Sequence, residues 1–149
     1  EQGVFAMQYC FADCESLKDA SKIPVGVFDM EGCFAGCTSL ESAPEIPEGV
    51  SDIRNCFRNC ESLIKVPVIP QSVKYMNGSF LGCTSLEAAP VIPNGVEDIS
   101  YCFAGCKDLV LPPAIPESVQ AMHSCFYNCT SLKEIPNLPE GVVGIGAKE

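Results

Sequence analysis

A period of 23 residues runs through this chain without an insertion or a deletion, and it constrains the fold more than any local pattern does. Units open at Cys10, Cys33, Cys56, Ser79, Cys102 and Cys125. Residues 1–9 fit the tail of a preceding unit, with Val4 and Met7 in the matching columns, and Lys148 and Glu149 open a seventh. With the opening residue as column 1, column 2 is always Phe: Phe11, Phe34, Phe57, Phe80, Phe103 and Phe126. Column 5 is always Cys, column 8 always Leu and column 18 always Val. Column 14 is Ile except for Leu138, and column 21 alternates Met30, Ile53, Met76, Ile99, Met122 and Ile145. The columns between them vary and are mostly polar.

A 23-residue unit has too little surface to enclose its own apolar side chains, so each coil needs the next one stacked upon it. The expected fold is a repeat solenoid, one domain over 1–149 with six full repeats and partial repeats at both ends. Each coil is expected to hold two short extended stretches, one from the Leu toward the Ile-Pro pair and one over the Val-x-x-Met/Ile segment. A short helical or 3₁₀ turn is expected to carry F-x-x-C. Column 4 holds Asp13, Gly36, Asn59, Gly82, Gly105 and Asn128, the residue types that best tolerate a left-handed backbone. Prolines at columns 12 and 15, such as Pro44 and Pro47, bound the first stretch.

The unit C-F-x-G-C-T-S-L-x-x-x-P-x-I-P-x-G-V-x-x-I, read from Cys33 to Ile53, resembles the BspA-like leucine-rich repeats. Those repeats share the period, an A-F-x-x-C-x-S-L core, an I-P and an S-V-x-x-I segment. Here Cys, or Ser79 in the fourth unit, replaces the usual Ala before Phe, and most units add a proline at column 12. The resemblance implies a curved, right-handed solenoid of leucine-rich-repeat type at the extracellular surface of host-associated microbes. It implies adhesion or protein binding and brings no catalytic residues with it.

Eleven cysteines invite chemistry. A disulfide within C-F-x-x-C would join residues at the long end of bridgeable spacing with poorly aimed Cβ atoms, and Ser79 would strand Cys83. Metal binding would need thiolate pairs that converge, whereas these are spread along a rod, and His123 has no partner histidine. The third reading, small reduced thiols packed in a ladder, accommodates Ser79 and the odd total.

No nucleophile elbow, zinc-protease motif or phosphate loop occurs, and the serines of the S-L pair recur in every coil but one as turn residues do. No enzyme and no cofactor is expected. A net charge of −10, with no basic stripe, argues against nucleic acid. No apolar run is long enough to span a bilayer, and a secretion leader would lie outside a chain that opens at Glu1.

Binding in repeat proteins uses variable positions of a strand face. Columns 9, 10 and 13 are polar in the outer units and apolar in the middle ones, at Ile64, Val68, Val91, Val110 and Leu111. These five residues are the candidate partner-binding patch, rimmed by Glu41, Lys65, Glu87 and Glu134. The alternatives are that some pack against flanking loops or serve strand propensity. The functional expectation is a non-catalytic surface adhesion or protein-binding module whose partner is a protein or other macromolecule. Head-to-tail self-association through the apolar ladders of the end coils is the alternative.

Overall fold

A computed structural model describes residues 5–20 and 22–142. Val4, Ile145, Lys148 and Glu149, placed in columns above, lie outside the described residues. Two strands, β1 (Phe5–Ala6) and β2 (Val27–Asp29), pair in parallel. Beyond them, successive coils touch through single parallel bridges in two columns. Column 10 links Asp19 to Ser42, Ser42 to Lys65, and Ala88 to Leu111. Column 20 links Asp29 to Asp52 and continues through Tyr75 and Asp98 to Ala121. Both expected extended stretches are therefore present, each shortened to about one bridge per coil. Prolines from column 12 onward explain the first, because they remove the N–H groups that a longer ladder would use.

The F-x-x-C segment departs from the expectation of a helical turn: the described residues contain no helix, and a run of β-turns stands in its place. In the second coil Cys33, Ala35 and Cys37 donate N–H to the carbonyls of Met30, Gly32 and Phe34, closing three overlapping turns. The residues between them, Gly32, Phe34 and Gly36, instead donate to Arg54, Cys56 and Arg58 of the next coil. Alternate N–H groups thus point inward to a turn and outward along the stack. A helix cannot do this, because it commits every N–H to its own segment. Left-handed residues make the alternation possible. Column 4 supplies one in every coil, from Asp13 at φ +62° to Asn128 at φ +62°, as the residue types suggested. Column 23 supplies another, including Gly32, Asn55, Gly78, Tyr101 and Ser124.

These columns also interlock neighbouring coils. A Cβ added to Gly36 would collide with the carboxylate of Asp13 one coil away, and one on Gly82 with the side-chain oxygen of Asn59. Gly78 lies under Asn55 in the same way, and Gly32 under the ring of Tyr9. In each of these four pairs a side chain in one coil fills the space that the glycine of the next coil leaves open.

Gly82→Ala is accordingly expected to cost about 2–3 kcal/mol, part from the left-handed backbone and part from Asn59. In an Asn59→Gly background only the backbone part remains, so the two changes should couple by about 1 kcal/mol in a urea-unfolding cycle. Simple additivity would show that the coils do not interlock here.

The core is a set of columns. Phe11, Phe34, Phe57, Phe80, Phe103 and Phe126 stack with ring centroids 5.5 to 5.8 Å apart and planes within 14° of parallel. Leu40, Leu63, Leu86 and Leu109 form a buried column, as do Val50, Val73, Val96 and Val119. Each such side chain contributes roughly 1.5–3 kcal/mol by burial.

The column-5 thiols do more than fill space. Cys37, Cys60, Cys83, Cys106 and Cys129 each donate S–H to the carbonyl of the Phe one coil before, over 3.0 to 3.2 Å. In column 1 the Ser79 hydroxyl donates 2.7 Å to the carbonyl of Ile53. That bond identifies what Ser79 shares with the cysteines of its column: a small side chain with a proton to give. All eleven cysteines are free thiols, most of them buried. Cys10 and Cys14 differ in being exposed, since no described coil covers them.

Candidate protein-interaction face

From column 9 to column 16 the chain leaves the first bridge, passes the Pro-x-Ile-Pro segment and turns toward the Val column. Ile at column 14 points inward, as at Ile46, Ile69 and Ile92, so its neighbour at column 13 points out. The sequence-predicted residues fall on this strip. Val68 and Val91 are 86% and 84% exposed, Ile64 62% and Leu111 54%. Val110 is half-buried, held in the inter-coil bonding where its carbonyl accepts the N–H of Lys133.

Shallow clefts run between coils along the strip. One is lined by Val25, Pro44, Pro47, Pro67, Val68 and Pro70, with Lys22, Glu45 and Glu48 among its other walls. The next has Pro90, Val91, Pro113 and Ile115, and a third joins Glu87 to Val110, Leu111 and Pro112. Val68, Val91, Val110 and Leu111 each line a cleft, whereas Ile64 stands outside these three. Of the expected rim, Glu87 lines a cleft wall, and Glu41, Lys65 and Glu134 are exposed. Val25, 85% exposed at column 16, was not singled out from the sequence. Its signal was available, since that column otherwise carries Glu48, Gln71, Asn94, Glu117 and Glu140.

Elsewhere the chemistry is self-contained. Carboxylates of Asp29, Glu31 and Asp52 gather within 4.8 Å of one another. The guanidinium of Arg54 sits among them, 2.6 Å from Asp52 and 3.6 Å from Glu31. The Asp52 carboxylate also takes the backbone N–H of Arg54, and Asp29 and Asp98 do the same for Glu31 and Ser100, so this column caps a turn. His123 is exposed, and its backbone N–H donates to the hydroxyl of Ser100. Burial pushes the thiols of Cys33, Cys60 and Cys106 up to about 12, and those of Cys56, Cys83 and Cys102 well above the ordinary range. A thiol held protonated is a poor nucleophile and a poor metal ligand at neutral pH. In the buried coils both thiols of C-F-x-x-C pack in the core, and the second one hydrogen-bonds the preceding coil.

The model of the BspA type leucine rich repeat region matches in six copies, over residues 6–133 and 100–148. The chain belongs to that family. No curated protein and no solved structure matches it. As a BspA-type repeat protein it has the period, the Phe and Leu columns and the S-L turn of its family. The Ser62 hydroxyl of one such turn donates 2.8 Å to the carbonyl of Thr38 in the preceding coil. No helix among the described residues is long and apolar enough to cross a membrane.

Proposed function

We propose that this chain is a non-catalytic protein-binding module of a cell surface, and that its task is adhesion. The observation that carries the reading is the row of exposed apolar side chains, Ile64, Val68, Val91 and Leu111, on a strip whose equivalent columns elsewhere are polar. An isolated exposed valine is ordinary, but several in neighbouring coils along a line of clefts form a continuous surface of the kind that interfaces use. Family membership supports the reading, because BspA-type repeats are typically surface-associated. The extracellular location and the adhesive role rest on that likeness.

Beads coated with the protein test it on epithelial cell monolayers. Wild-type beads are expected to adhere, and a variant carrying I64S, V68S, V91S and L111S to lose most of that adhesion, with unchanged urea unfolding. Equal adhesion by a folded variant would contradict the proposal.

A further inference from the structure

We infer that the strip takes an extended polypeptide segment that is apolar along its length and cationic at one end; this rests on the strip being the binding face. The floor of the clefts is proline at Pro44, Pro47, Pro67, Pro70, Pro90 and Pro113. Proline offers no N–H, and no bridge between coils falls in columns 11 to 16 among the described residues. A partner therefore cannot add itself as a strand there and has to be held by its side chains. Apolar side chains fit clefts walled by Val25, Val68, Val91 and Leu111.

Charge decides the rest. The second coil carries Glu41, Glu45 and Glu48, all exposed, and the last two line the first cleft. Among the described residues the only ion pairs are those of Arg54, so none of these three carboxylates is neutralised by a salt bridge to another described residue. Lys22 is, among the described residues, the one cation lining that cleft, and the chain as a whole carries −10. A partner bringing one or two positive charges to the second coil meets complementary charge and is steered toward it, while an acidic segment is repelled. The length follows from the stacking. Val25 to Leu111 spans four coil steps, a rise of about 19 Å along the stack at the spacing of paired strands, which takes at least roughly six extended residues to cover.

The test is selection from a displayed library of random dodecapeptides on immobilised protein, with V68S/V91S and E41Q/E45Q/E48Q variants as parallel baits. E61Q/D108N, neutralising two exposed carboxylates in other columns, controls for net charge. Enriched peptides are expected to pair apolar residues with a net charge of about +2. They should lose at least tenfold in affinity on V68S/V91S and severalfold on the triple variant, but keep full affinity for E61Q/D108N. Peptides that need Val68 and Val91 yet are neutral or acidic would overturn the cationic assignment and leave the binding face standing. No enrichment, or peptides indifferent to V68S/V91S, would overturn the face itself and the assignment with it. Losses on E41Q/E45Q/E48Q and E61Q/D108N in proportion to the three and two charges removed would reduce the charge effect to the chain's overall field and also overturn the assignment.

Discussion

Raising the pH from 8 to 10 under reducing conditions is expected to remove most of the folding stability of this protein. Cys33, Cys56, Cys60, Cys83, Cys102 and Cys106 are fully buried. Desolvation holds them protonated far above the ordinary value of 9.0, to about 12 for Cys33, Cys60 and Cys106. Unfolding releases them to titrate normally. Above pH 9 the unfolded chain therefore binds fewer protons than the folded one, and stability falls as pH rises. The loss begins near 9, where the unfolded thiols ionise, and continues until the folded thiols do so, near 12 for Cys33, Cys60 and Cys106. Each pKa unit is worth about 1.4 kcal/mol, so six thiols together give a loss on the order of 8 kcal/mol by pH 10. That is comparable to the whole stability of an ordinary domain. Urea midpoints measured at pH 7, 8, 9 and 10 check this. A Cys60→Ala variant serves as the control: its slope should be shallower by one thiol's share. A midpoint that stays flat from pH 8 to 10 would show that the thiols are not sealed from water.

The second large effect is expected from Phe80→Ala. The ring of Phe80 stacks on Phe57 at 5.6 Å and on Phe103 at 5.8 Å, and none of it reaches solvent. Removing it opens a hole shared by three coils, whose backbones are fixed at the coil spacing by hydrogen bonds on both sides and so cannot collapse into it. A cost of about 3–5 kcal/mol follows. Phe11→Ala should cost clearly less, because Phe11 stacks only on Phe34 and is 38% exposed. In a stack coupled only through nearest neighbours, losing a central contact also weakens cooperativity between the two halves. Denaturation of the Phe80→Ala protein should therefore broaden as well as shift. A loss under about 1 kcal/mol would mean that the column is not close-packed.

Much of this was legible because repetition turns one short pattern into a three-dimensional statement. Once the period was known, the Phe, Leu and Val columns had to stack, and Gly, Asn and Asp at column 4 announced a left-handed backbone. The run of β-turns over F-x-x-C, where the sequence suggests a helical turn, has a specific physical cause. Its alternate N–H groups find acceptors in the next coil, which no reading of a single unit can see. The second left-handed column is also half hidden, since Gly32, Asn55 and Gly78 suggest it while Tyr101 and Ser124 do not. Ser79 looked merely small until its hydroxyl was found on the carbonyl of Ile53. The gathering of Asp29, Glu31 and Asp52 around Arg54 crosses two coils and appears only once the columns are laid side by side. The apolar strip was legible in Val68, Val91 and Leu111, whereas the half-buried place of Val110 depends on local bonding that column position does not encode.

The claim that the strip meets the partner is most directly tested by placing a photo-crosslinking amino acid at single positions of the folded protein on living cells. The account predicts a covalent adduct from Val68 and Val91, and none from Lys74 or Gln120, which are exposed on the second extended stretch. Adducts from Lys74 or Gln120 with none from Val68 and Val91 would contradict it and move the interface to the other side of the coils.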